Sequence, residues 1–186
     1  MKKLVFLLAA LFTTYFAQAQ GGISLGLKAG ANYSSLTGDN TDDYKHQFGF
    51  HGGGFLDFGL SDMVSIRPEL LFSVKGYAIE LTDDDDDNQT FSYIDVPILA
   101  HVNAGGIFFE GGPTLGYLVA VKDGDTDDFK KLEFGYAAGL GYEMESGMGF
   151  GLRYQGGLTS LSDNDDAPKV KNSVFQLYLS YLLGGR

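Results

Sequence analysis

The chain has no cysteine, so disulfides, thiolate metal sites and a lipid-modified N-terminal cysteine are excluded. It also lacks tryptophan, and proline occurs only 4 times in 186 residues. Basic residues are scarce: 13 Lys and Arg stand against 24 Asp and Glu, a formal net charge of −11. That balance repels a phosphate backbone and argues against a nucleic-acid partner. No Gly-rich phosphate loop stands out. The 27 glycines recur at alternate positions of extended segments, not at a strand-to-helix turn. Beyond the N-terminal stretch no apolar run reaches the ~20 residues of a spanning helix, which excludes an inner-membrane helical protein.

What the sequence has in abundance is two-residue alternation, clearest from Leu132 to Leu158. Leu132, Phe134, Tyr136, Ala138, Leu140, Tyr142 and Met144 form one face, and Glu133, Gly135, Ala137, Gly139, Gly141 and Glu143 the other. After Glu145-Ser146-Gly147 the alternation resumes, with Met148, Phe150, Leu152 and Tyr154 opposing Gly149, Gly151, Arg153 and Gln155. Period two on both sides of a tight turn is a β-hairpin. A soluble barrel buries its bulky apolar side chains and solvates the rest. Here the apolar face is unbroken and aromatic, while the other is glycine with a few charges. That pattern suits lipid on one side and a crowded interior on the other. Leu140 is expected to face lipid. Gly139 is expected to face inward, into a crowded lumen, where a small polar replacement such as serine should be milder than Leu140→Arg.

Eight such segments follow the N-terminal stretch: 23–34, 47–59, 64–79, 91–103, 107–121, the two arms of the hairpin, and 172–183. The fifth is apolar on both faces, and Glu110 selects its inward side. Turns at 61–63, 104–106 and 145–147 alternate with longer polar stretches near 35–46, 80–90, 122–131 and 159–171. Short periplasmic turns and long extracellular loops are the layout of an outer-membrane barrel. About 12 residues at ~3.3 Å each, tilted by ~40°, rise ~30 Å, enough for the apolar band. Of 18 aspartates, 15 fall in the longer stretches: Asp39, Asp42, Asp43, Asp83 to Asp87, Asp123, Asp125, Asp127, Asp128, Asp163, Asp165 and Asp166. Acid is thus gathered at one end. The expected fold is all-β, an eight-stranded antiparallel up-and-down transmembrane β-barrel. Pro97 and Pro113 fall inside strands, where the missing N–H predicts a bulge or kink.

Residues 1–19 read as a cleaved signal peptide. Lys2 and Lys3 precede an uncharged run, Leu4 to Phe16, too short to span, and then Ala17-Gln18-Ala19 offers a cleavage site. Residues 20–186 are then the barrel domain, and export with this pattern predicts the Gram-negative outer membrane.

The inward ionisable set is Lys28, His51, Asp57, Arg67, Glu69, Lys75, Asp95, His101, Glu110, Glu133, Glu143 and Arg153. Charges in a low-dielectric interior must be paired or hydrated. Eight strands leave an interior just wide enough for side chains. The expected lumen is therefore a salt-bridged plug carried by Lys28, Arg67, Glu69, Lys75, Asp95, Glu110, Glu133, Glu143 and Arg153, with a narrow porin-like ion path as the alternative. His51 and His101 sit on different segments without a serine motif, so no catalytic residue is assigned. An outer-membrane enzyme with its site at the loop end is the remaining rival class. His46 is expected in the first loop, in solvent. Asp123-Gly124-Asp125-Thr126-Asp127 begins like a calcium loop but lacks the Gly at position six and the Glu at position twelve. Asp123, Asp125 and Asp127 are candidate ligands for weakly bound calcium, and no other cofactor is expected.

Several short pieces stand in order along the chain. They are Arg67-Pro68-Glu69-Leu70-Leu71-Phe72-Ser73 with Lys75-Gly76, then Tyr93-Ile94-Asp95-Val96-Pro97-Ile98-Leu99. Gly112-Pro113 before Leu115-Gly116-Tyr117, Gly139-Leu140-Gly141-Tyr142-Glu143, and Arg153-Tyr154 with Gly157-Leu158 complete the set. Together they resemble the PorT-like outer-membrane β-barrel family, small barrels of the OmpA/OmpX type. That family's pattern also carries prolines where Pro68, Pro97 and Pro113 stand. The ending, Leu183-Gly184-Gly185-Arg186, departs from the terminal aromatic of many such barrels. The resemblance implies a fold and an address, and no reaction. The expected protein is a monomer of structural or surface-interaction type. Its expected partners are outer-membrane lipid, the barrel assembly machinery and a surface ligand at the acidic loops.

Overall fold

The computed structural model describes residues 22–38, 41, 44–79, 87–122, 124, 126, 129–161 and 169–183. Its strands are β1 (Ile23–Gly38), β2 (Tyr44–Gly59), β3 (Val64–Ile79), β4 (Asp87–Ala104), β5 (Ile107–Val121), β6 (Leu132–Glu143), β7 (Met148–Gly157) and β8 (Val170–Leu183). Each pairs antiparallel with the next, and β8 returns to β1, so the sheet closes into a barrel. Closure leaves no unpaired edge strand, as a membrane demands. Among the described residues no helix is long and apolar enough to cross a membrane; the strands are what can cross it.

The alternation in the sequence becomes an inside and an outside. In β6, Glu133, Gly135 and Ala137 are buried, while Leu132, Phe134, Tyr136 and Leu140 are exposed. Leu27, Phe50, Leu70, Phe109, Leu152 and Leu177 are likewise exposed, so the barrel wears its apolar side outward. The lumen is the core. It holds polar and charged side chains, and also Phe55, Leu71, Leu99, Phe108, Leu118 and Leu182. Near the loop end Phe91, Tyr93 and Leu118 form a buried cluster. Phe129 packs edge-on against Phe91 there, with ring centroids 5.1 Å apart.

β3 and β5 have the limits read from the sequence. β1, β2, β4 and β8 run further at the loop end, to Gly38 and from Tyr44, Asp87 and Val170. The lipid-facing pattern stops where the apolar band stops, but backbone pairing continues into water. Two assignments change as a result. Asp87 opens β4 instead of closing a loop. His46 lies in β2 and stacks on Tyr33, with ring centroids 4.4 Å apart and planes 9° from parallel.

Neither Pro97 nor Pro113 introduces a bulge. The ladder passes from Pro68↔Ile98 to Leu71↔Asp95, and from Pro97↔Thr114 to Ala100↔Gly111, without a change of register. Pro68, Pro97 and Pro113 share one patch of β3, β4 and β5, so their missing donors fall together in one short gap. The register shifts lie elsewhere, between His46 and His51 and between Ser92 and Tyr93.

Candidate functional site

Ionic layers are stacked along the lumen. Nearest the turns, Arg67 of β3 holds Asp57 of β2 through Nε, and donates from Nη2 to Glu143 Oε2 of β6 at 2.8 Å. Ser65 Oγ donates to the same Asp57 carboxylate at 3.0 Å. The Phe55 ring lies 5.2 Å from the Arg67 guanidinium carbon.

The middle layer belongs to Arg153 of β7, which is only 2% exposed. Its Nη1 and Nη2 donate to Glu69 Oε2 and Oε1 at 2.7 and 2.9 Å. Its Nε donates to Glu110 Oε1 at 2.7 Å. Lys28 Nζ donates to Glu69 Oε1 at 2.5 Å and sits 4.0 Å from the centre of the Tyr178 ring. The Tyr178 hydroxyl donates to Glu110 Oε1 at 2.8 Å. A planar guanidinium matches a carboxylate with two parallel bonds, which a lysine cannot do. The two cations and two carboxylates of this layer balance.

Towards the loops, Lys75 Nζ reaches Glu133 Oε2 at 3.1 Å and Asp95 Oδ1 at 3.5 Å, over the face of Tyr93. Asn172 Nδ2 donates to Glu133 Oε2 at 2.9 Å. Between this layer and the middle one, Asn32 Nδ2 donates to Ser73 Oγ at 3.1 Å, and Asn32 Oδ1 accepts from Gln176 Nε2 at the same distance. Glycines make the room. A Cβ on Gly151 would come within 2.6 Å of the Tyr178 ring, and one on Gly116 within 2.8 Å of Asp95 Oδ1.

All nine candidate lumen charges, Lys28, Arg67, Glu69, Lys75, Asp95, Glu110, Glu133, Glu143 and Arg153, are buried and lie in one of these layers. His51 Nδ1 lies 2.7 Å from Asn32 Oδ1, and the His101 ring packs on Phe108 with centroids 4.7 Å apart. Both imidazoles are held in structural contacts. The alternation of the first segment places Asn32 on its polar face, but sequence reasoning did not single out Tyr178 or Phe55. Parity could have found them: Tyr178 falls between the inward Gln176 and Ser180, and Phe55 between the inward His51 and Asp57. Asp123, Asp125 and Asp127, the candidate calcium ligands, lie outside the described residues. So do residues 1–19 and all the loop aspartates except Asp87. Among the described residues no group of three or more His, Asp or Glu is arranged to hold a metal ion.

A closed antiparallel barrel with an apolar exterior and a charged interior has a counterpart among known families. The model of the outer membrane protein beta-barrel domain matches residues 16–163. The chain belongs to that family. It is an outer-membrane protein, and its strands sit in the lipid bilayer. β8, which lies beyond the matched residues, completes the same barrel.

Solved barrels of similar fold include Ail, the attachment invasion locus protein of Yersinia pestis. The two are 15% identical over 88% of this chain and 100% of that one, with a TM-score of 0.50. Ail in complex with the heparin analogue sucrose octasulfate is 17% identical over 87% of this chain and 99% of that one, with a TM-score of 0.53. Neisserial surface protein A is 12% identical over 86% of this chain and 98% of that one, with a TM-score of 0.55. These likenesses are of fold. No curated protein matches the chain in sequence.

Proposed function

We propose that this outer-membrane barrel is a monomeric surface-interaction protein with a closed lumen, neither a channel nor an enzyme. The observation that carries the reading is the middle layer, in which Arg153, Lys28, Glu69, Glu110 and Tyr178 join five strands across the interior. An ion crossing there has to part a bidentate, buried Arg–Glu pair, which costs several kcal/mol of desolvated charge. The apolar cluster around Phe91 adds a second obstruction nearer the loops.

If the interior is filled, activity belongs to the loops. Their sequence is dominated by aspartate, so the ligand class supported here is cationic, or bridged to the carboxylates by divalent ions. A polyanion of the kind bound to Ail would be repelled. Weak calcium binding by Asp123, Asp125 and Asp127 belongs to the same reading. So do cleavage after residue 19, leaving 20–186 as the barrel, insertion by the barrel assembly machinery, and membership of the PorT-like group. The motifs from Arg67 to Leu158 support that last point.

The test is a pull-down from surface material on vesicles carrying the wild-type barrel or one shortened at 80–86 and 162–168, with polylysine as a defined cationic probe. Retention by the wild type and release by the shortened barrel is expected. Equal retention by both contradicts the assignment to the loops.

A further inference from the structure

His51 of β2 is 2% exposed and adjoins the middle layer of the lumen. Its tautomer follows from its partner. Asn32 Nδ2 donates to the carbonyl oxygens of Phe50 and Val74 at 3.1 and 2.8 Å, and a carbonyl oxygen cannot donate in return. The carboxamide is therefore fixed with Oδ1 as its acceptor. His51 Nδ1 lies 2.7 Å from that oxygen, so Nδ1 carries the ring proton. Nε2 is left with a buried lone pair and no hydrogen-bond partner among the described residues. A second proton on this ring has to go there.

The charges facing the ring are Lys28 of β1, Arg153 of β7 and Glu69 of β3, two cations and one carboxylate. Tyr178 of β8 crosses it at 70° with centroids 6.4 Å apart, and its hydroxyl is already committed to Glu110. The middle layer balances as it stands, with Lys28 and Arg153 against Glu69 and Glu110. A proton on Nε2 sets three cations against two carboxylates, in an interior where unpaired charge is costly. Glu69 has nothing to spare, because its Oε1 accepts from both Lys28 Nζ and Arg153 Nη2. Lys28 is the more weakly held of the two, with one bond to Glu69 and the Tyr178 face against three bonds for Arg153. We infer that His51 is an acid-sensitive latch on the lumen plug. Neutral, it braces the plug through Asn32; protonated at Nε2, it competes with Lys28 for Glu69 and loosens the layer. Because this latch lies in the layer that closes the lumen, it deepens the function proposed above. Steady current at neutral pH would refute closure, while the measurements below judge His51 separately.

The test follows the full barrel in phosphatidylcholine bilayers from about pH 7.5 to 5.5, above the ordinary carboxylate range, so that Glu69 and Glu110 keep their charge. Urea unfolding gives the folding constant, and nitrogen NMR of isotope-labelled histidine reads each ring. At the neutral end His51 should show a protonated Nδ1 and a bare Nε2. Below about pH 6.5 the unfolded chain takes up a proton that the balanced layer disfavours, and the folding constant should fall by up to about tenfold per pH unit for that imidazole. His51→Asn keeps a donor for Asn32 without a titrating group and should flatten this part of the profile. His46→Asn, in the exposed ring stacked on Tyr33, should leave the fall as it is. His101 is the competing source, since both its ring nitrogens are also buried and without hydrogen bonds among the described residues, with Glu110 Oε2 at 4.0 Å. A fall kept in His51→Asn and abolished in His101→Asn overturns the proposal. So does a wild-type profile without a fall, or a His51 ring already protonated on both nitrogens at neutral pH in the folded barrel. If His51→Asn does not fold, the wild-type spectra decide: loss of stability without protonation of His51 Nε2 over the same interval is equally fatal.

Discussion

Replacing Arg153 with Met isolates the energetics of the lumen. The side chain is almost fully buried and makes three charge-assisted hydrogen bonds, two to Glu69 and one to Glu110. After the change Glu69 keeps Lys28, whereas Glu110 keeps only the Tyr178 hydroxyl and His101 at 4.0 Å. One buried carboxylate is then without its cation, and the cost should be about 3–5 kcal/mol. Arg153→Lys retains the charge but not the fork, and should lose about 1.5–3 kcal/mol. Arg153→Met combined with Glu110→Gln removes the stranded charge as well as its partner. That double variant should recover most of the loss, because a buried pair replaced by neutral groups is often close to neutral in stability. The assay is urea unfolding in phospholipid vesicles, followed by the β-sheet circular dichroism signal, since the chain has no tryptophan to report by fluorescence. A loss below about 1 kcal/mol for Arg153→Met, or a double variant no better than the single, would refute the reasoning.

Leu140 is 54% exposed on the lipid face, so Leu140→Arg should cost about 2–4 kcal/mol in the same unfolding assay; a neutral result there reverses the inside–outside assignment. Gly52 and Gly53 are adjacent but face opposite ways. A Cβ on Gly53 meets the Leu70 carbonyl oxygen at 2.0 Å, whereas on Gly52 its nearest neighbour is the Lys28 carbonyl oxygen at 3.7 Å. Gly53→Ala should therefore destabilise by about 1–3 kcal/mol and Gly52→Ala by less than about 0.5, and similar losses at both would contradict the register. Millimolar calcium should raise Tm more than sodium at equal ionic strength, and replacing Asp83 to Asp87 with Asn should remove most of the difference. Equal shifts from the two salts leave the aspartates as solvated charges only.

The membrane-facing half of the fold was legible because lipid enforces strict alternation. Val64–Ile79 could be read to the residue on that signal, and Ile107–Val121, apolar on both faces, with Glu110 to mark its inward side. The loop-side ends were not, because pairing there persists without an apolar face to mark it. The inner face was legible for its charges and much less so for Phe55, Leu99, Phe108 and Leu182. A hydrophobe on the inward parity looks like noise unless the barrel interior is known to need filling. Partner choice was also hidden. Arg153 meets Glu69 from 84 positions away, and only strand tilt and stagger bring those strands to the same height across the lumen. Gly139 shows how close the backbones come. It does face inward, but a Cβ there lies 2.7 Å from the Leu152 carbonyl oxygen and 3.0 Å from Glu110 Oε1, so even serine is crowded. Close backbone approach between β6 and β7, not lumen polarity, explains that glycine.

The closed lumen is the claim on which the proposed function depends, and single-molecule conductance tests it most directly. Purified barrel reconstituted in a planar bilayer should give no stable current steps, while Arg153→Ala with Glu69→Ala, which removes the bidentate pair from the middle layer, should give small discrete ones. Steady porin-like conductance from the wild type, unchanged by removing that pair, would contradict the account.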